Sequence, residues 1–196
     1  MVEAIAAAVR RLSAATDVRV GYLEHGPPHV AEVAEAGAIA VPLLLSAGYH
    51  VRVDLPAQAP DVLVTDAVGP DPRIATALAE RLREAGYDGG PVTLAAAGSA
   101  DERALDDVAD AAAQLADLLG APVAAAFVSA GEPRLTDVEP QAVATYLLAP
   151  GLFADKVAAC GARVIAAPLG AHPLLADIVL DRYLSGRQAQ DAARTS

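Results

Sequence analysis

The sequence predicts an α/β fold of two similar halves, each a parallel sheet flanked by helices, with a cleft between the halves. Three observations predict it. Apolar runs alternate with segments of helical spacing along the whole chain, several blocks recur in order at a nearly constant offset, and 54% of the 196 residues are hydrophobic, enough to fill a core.

The elements follow in chain order. EAIAAAVRRLSAA (3–15) carries apolar residues at three- and four-residue intervals and reads as a helix. DVRVGYL (17–23) is apolar enough for a strand covered on both faces, and HVAEVAEA (29–36) returns to helical spacing. AIAVPLLL (38–45) and PDVLVTD (60–66) are further strands, and PRIATALAERLREAG (72–86) is a helix that stops at a Gly. The pattern then repeats. GPVTLAAA (90–97) is a strand, ERALDDVADAAAQLADLLG (102–120) a helix, and APVAAAFV (121–128), ATYLLA (144–149) and ARVIAAP (162–168) are strands. HPLLADIVLDRYLSG (172–186) is the last helix, again ending on Gly, and the polar remainder GRQAQDAARTS reads as a disordered tail over 186–196. Strand and helix in alternation imply a parallel sheet, whose ligands collect at the carboxyl ends of the strands.

An internal repeat gives the domain organisation. VGYLEHGPP (20–28) aligns with AAFVSAGEP (125–133), VPLLLSAGYHVR (41–52) with TYLLAPGLFAD (145–155), and DAVGPDPRIATALAERL (66–82) with APLGAHPLLADIVLDRY (167–183). Three blocks in one order, offset by about 100 residues, imply two βα halves of like topology. The join is placed near YDGG, giving halves 1–88 and 89–185. In the second half a strand, GPVTLAAAGS, precedes the first helix; in the first half the matching helix begins almost at Met1. By the repeat offset the first half is expected to open with about fifteen further residues.

Composition excludes several function classes. A net charge of −11, with no basic run, speaks against nucleic acid. No stretch reaches the roughly 18 apolar residues of a membrane helix, and the N-terminus lacks a secretory pattern, so a soluble cytoplasmic protein is expected. Cys160 is the one cysteine and has no second thiol for a disulfide, a zinc site or a redox pair; it reads as a small core residue.

Taken together, LLLSAGYHVRVDLP, VGPDPRIA, AAAGSADERA, FVSAGEP, YLLAPGLFADKV and PLGAHPLLADIVLDRY resemble, in order and spacing across residues 17–185, the small sirohydrochlorin chelatases. These class II metal chelatases insert Fe²⁺ or Co²⁺ into sirohydrochlorin. The resemblance implies two flavodoxin-like halves with the tetrapyrrole between them and no organic cofactor. It also implies that His50, in the GYH block, is the metal-binding histidine of the cleft, and that Glu24, in YLE, is an acidic ligand. The family's third ligand, the histidine of an AHGS-type turn, aligns ahead of Met1. His25, His29 or His172 is then a candidate replacement.

The chemistry suits these side chains. Insertion exchanges pyrrole N–H protons for a divalent cation, so the site must hold a borderline metal loosely and take up protons near neutral pH. A neutral imidazole does both, which makes His50 ligand and general base together. Glu24 adds negative charge, and three or fewer protein ligands leave positions open for incoming nitrogens. For substrate binding the candidates are Arg52, a partner for the tetrapyrrole carboxylates, Ser99 at the start of a helix, and His172 in GAHP. A solvated arginine, an ordinary helix cap and a polar helix start are their bland alternatives. The second half has Phe153 opposite His50, so a single metal site in the first half is expected. Alternative readings are a non-catalytic relative carrying a metal or tetrapyrrole, a subunit completed by a partner or a second copy as a homodimer, and a metal site turned to other small-molecule chemistry.

Overall fold

The computed structural model describes residues 1–24, 26–48 and 53–195. Its helices are α1 (Val2–Leu12), α2 (Val30–Val33), α3 (Leu55–Gln58), α4 (Pro72–Glu84), α5 (Glu102–Leu119), α6 (Leu152–Ala158) and α7 (Pro173–Arg194). Its strands are β1 (Ile39–Ala40), β2 (Leu63–Val64), β3 (Val92–Gly98), β4 (Val123–Ala130), β5 (Ala142–Tyr146) and β6 (Val164–Ile165). They form two compact units, one of Met1–Val68 with Pro173–Ser196 and the other of Gly69–His172.

This division differs from a cut at 88. The last helix of each repeat is exchanged: α4 packs on α5 and β5 of the second unit, and α7 on α1, β1 and β2 of the first. Periodicity identifies both helices but carries no information about which sheet their apolar faces cover.

In the second unit four parallel strands run in the order β4-β3-β5-β6. Side-chain alternation distributes the core over two faces. Ala95 and Val143 join Leu135, Leu147 and Val157 on the face that α6 covers. Leu94 and Ala96 point the other way, toward the side of α4 and α5, whose Ile74, Leu78, Leu82, Val108 and Leu115 are buried. Tyr146 lies on that side, and burial together with the nearby Asp107 charge pushes its phenol well above the ordinary tyrosine value. The helix starts are capped as their sequences require. Asp71 caps α4 ahead of Pro72, accepting from Arg73 N at 3.0 Å, and Asp101 caps α5, accepting from Arg103 N at 3.1 Å. Gly120 ends α5 in the left-handed conformation at φ 62°.

The first unit is sparser. β1 and β2 pair in parallel, Ile39 opposite Leu63 and Ala40 opposite Val64. Ile5, Ala6 and Val9 of α1 are buried, as are Leu175, Ala176 and Ile178 of α7. The expected strand over 17–23 is not one. Its residues alternate between exposed (Asp17, Arg19, Gly21) and half-buried (Val18, Val20, Tyr22), but among the described residues only Tyr22 makes a bridge, to His29. The expected strand over 38–45 shrinks to β1, because Pro42 has no N–H to give a ladder.

Two further expectations change at the C-terminus. The tail read as disordered is helix as far as Arg194. Gly186, read as a helix stop, lies inside α7, where a Cβ would come within 2.9 Å of Thr65 Cγ2 and 3.1 Å of Ile39 Cγ2. It lets the helix approach β1 and β2 closely. α6, missing from the sequence-based elements, fills the stretch LFADKVA after Gly151.

The repeat is visible as geometry. Tyr22 N donates to Pro28 O at 2.9 Å and Phe127 N to Pro133 O at 3.0 Å. Tyr22 bridges His29 and Phe127 bridges Arg134, both in parallel sense, and Gly26 and Gly131 both have φ 110°.

Candidate functional site

The two proposed ligands both belong to the first unit by chain position. Glu24 follows the extended segment 18–23, and residues 41–48 leave the carboxyl end of β1. This is the end at which parallel α/β folds collect ligands. Beyond it, α3 is tied back to the residue before Glu24: Gln58 Nε2 donates to Leu23 O at 3.4 Å, and α3 packs on α2. Gln58 is absent from the sequence candidates, since a lone Gln in a short helix carries no pattern.

His50 and Arg52 lie outside the described residues, as does His25. Glu24 is exposed and has an interaction partner. His29 stands at the N-cap of α2 with its backbone N–H donating to Glu32 Oε2 at 2.7 Å, so its backbone serves helix entry while the residue stays exposed. Among the described residues no group of three or more His, Cys, Asp or Glu side chains converges as a metal site.

The candidates in the second unit have structural partners. His172 is 9% exposed, and its Nε2 lies 3.0 Å from Glu80 Oε2 on α4, so the imidazole is held against a helix instead of standing open. Ser99 is not the cap of α5; Asp101 is. Ser99 Oγ accepts from Asp101 N at 3.0 Å, forming the turn before the helix, and the Asp101 carboxylate already occupies the helix start. By the repeat, Ser129 stands where the first unit has Glu24, and its hydroxyl donates to Ala97 O at 2.8 Å. At this position a hydroxyl bound to a carbonyl stands where the first unit has a carboxylate.

Solved structures share this architecture. SirB from Bacillus subtilis with Fe³⁺ matches with a TM-score of 0.75 at 20% identity, covering 94% of this chain and 88% of that one. The sirohydrochlorin chelatase SirB from Bacillus subtilis subspecies spizizenii in complex with cobalt matches with a TM-score of 0.75 at 18% identity, covering 97% and 90%. CbiX, the terminal enzyme for biosynthesis of siroheme in denitrifying bacteria, matches with a TM-score of 0.73 at 20% identity, covering 93% and 89%. The fold, with its parallel sheets flanked by helices, is therefore that of the chelatases. Residues 1–85 match the CbiX family model. That stretch holds both Glu24 and His50. Among curated proteins it is similar to the sirohydrochlorin cobaltochelatase of Sulfurisphaera tokodaii, 34% identical over 79 residues, covering 34% of this chain and 66% of that protein's length.

Proposed function

We propose that the protein inserts a divalent metal ion, Fe²⁺ or Co²⁺, into sirohydrochlorin, as a cytoplasmic step of siroheme or cobalamin biosynthesis. The observation that carries this reading is the CbiX match over residues 1–85, which spans both proposed ligands on a chelatase fold.

In this reading the metal is a substrate, delivered and released in each turnover. His50 binds the incoming ion through a neutral ring nitrogen and, once the ion has passed to the macrocycle, takes up one of the two displaced pyrrole protons, the other passing to water. Glu24 adds a hard, negatively charged oxygen, and its exposure suits exchange of ions and protons with water. A mixed imidazole and carboxylate set binds a borderline divalent ion less tightly than thiolates, which favours transfer over storage. Arg52 pairs with a substrate carboxylate. Ser99 and His172 are better assigned to the turn before α5 and to the contact with Glu80, which their hydrogen bonds support.

Purified protein mixed with sirohydrochlorin and Co²⁺ or Fe²⁺ and followed by absorption tests the proposal. The expected result is a catalytic shift from the metal-free to the metallated spectrum, faster than the protein-free control. A bound but unmetallated spectrum would mark a tetrapyrrole carrier instead, and no change would remove the tetrapyrrole from the account.

A further inference from the structure

The second unit presents apolar side chains to water at one corner that its own packing does not use. β3, β4 and β5 run parallel, so their carboxyl ends, at Gly98, Ala130 and Tyr146, share one edge of the sheet. Residues 147–151 lead from that end of β5 into α6, whose first turn carries Leu152 and Phe153. Leu152 is 70% exposed, the highest value among the large apolar residues described, and Phe153 is 37% exposed. Phe127, the chain's other phenylalanine, is buried.

Helical geometry shows why α6 packs without these two. Val157 is buried and Ala154 packs against the core of the unit, so they form the inner face. Leu152 and Lys156 are four positions apart and Phe153 and Lys156 three, which groups these side chains on the outer flank. Asp155 borders Leu152 on the flank away from Phe153. Lys156 is the only lysine in a chain of net charge −11, and its Nζ stands 5.8 Å from the centroid of the Phe153 ring. Among the described residues it pairs with no carboxylate. An exposed leucine, a ring and an ammonium, side by side at the edge where parallel sheets collect ligands, fit a flat apolar molecule with carboxylates at its rim.

We propose that Leu152, Phe153 and Lys156 bind sirohydrochlorin, with Leu152 and Phe153 against the face of the macrocycle and the Lys156 ammonium on a peripheral carboxylate. The proposal rests on the chelatase reading, which supplies the substrate, and adds to it a binding subsite on the second unit. Complementarity of shape and charge carries it. A conjugated ring system stacks on phenylalanine and covers leucine, and its carboxylates meet a cation on a chain that is otherwise acidic. By the repeat Phe153 takes the position of His50, so the copy without the imidazole has an aromatic ring at the same corner.

Titration of metal-free sirohydrochlorin with the full chain, followed by absorption, tests it, with each variant shown to be folded by its urea transition. The double variant Leu152→Ala, Phe153→Ala is expected to raise Kd about tenfold or more. Lys156→Gln is expected to raise it about threefold and to flatten its salt dependence, and Lys156→Arg to restore both. Folded variants that bind as tightly as wild type would overturn the subsite and leave the chelatase reading in place, whereas a wild type that binds no sirohydrochlorin would overturn both. Unchanged binding together with loss of a dimer in the double variant would also overturn the subsite, because the apolar pair would then join two copies of the chain.

Discussion

At the scale of single residues, the informative positions are those whose environment forces one chemical state. Tyr146 is the clearest. Its phenol is buried at the end of β5 near Asp107, which raises its pKa above the usual tyrosine value of 10.0. The unfolded chain ionises at the ordinary value and the folded chain does not, so stability is intact below about pH 10 and falls as pH rises above it. Tyr146→Phe is expected to flatten the loss of urea stability between pH 10 and 11 without altering it at pH 7; equal alkaline slopes would show the phenol to be exposed to water. The legibility of residues in the sequence differs sharply by role. Asp71 and Asp101 each precede a helix and cap it, a local matter that spacing reveals. Ser99 and His172 also precede helices, but spacing does not reveal their partners, Asp101 N and Glu80, and for His172 that partner is 92 positions away in the chain.

At the scale of elements, close approach explains most of what the pattern missed. Gly186 looks like a helix stop because Gly120 and Gly86 are at or just past the ends of α5 and α4, yet it sits against Thr65 and Ile39 inside α7. Gly186→Val is expected to destabilise the first unit by about 1–3 kcal/mol, read from its urea transition, since the extra atoms meet packed side chains. An unchanged transition would mean that α7 does not rest on β1 and β2. Gly98, at the end of β3, is constrained twice: its φ is +93°, and a Cβ there would lie 1.8 Å from Ala130 O. Gly98→Ala is expected to cost about 2–4 kcal/mol in the second unit, and a loss below about 0.5 kcal/mol would contradict the close pairing of β3 with β4. β3 and β5 were legible as strands because both are largely buried and read as continuous apolar runs, although β5 ends at Tyr146 and the run over 162–168 shrinks to β6. Those of the first unit were over-read, since residues 18–22 have the side-chain pattern of a strand but among the described residues pair only through the bridge of Tyr22 to His29.

At the scale of the whole molecule, the fold class and the repeat were legible and the division of the chain was not. Recurring blocks identify two like halves, and the matching turns at Gly26 and Gly131 bear that out. The exchange of α4 and α7 between units depends on which sheet each helix covers, a tertiary choice that leaves no mark on helical periodicity. The candidate site was legible only in part. Gln58 of α3 reaches Leu23, the residue before Glu24, while Ser129 stands in the place of the acid in the second unit. In the proposed reading, catalysis belongs to the first copy of a duplicated fold, through Glu24 and His50. The most direct test is the initial rate of Co²⁺ insertion into sirohydrochlorin by wild type and His50→Ala, each shown to be folded by its urea transition. A rate lower by about 100-fold or more in the variant is the expected result, in line with loss of a general base that is also a ligand. Equal rates in the two folded proteins would contradict the assignment.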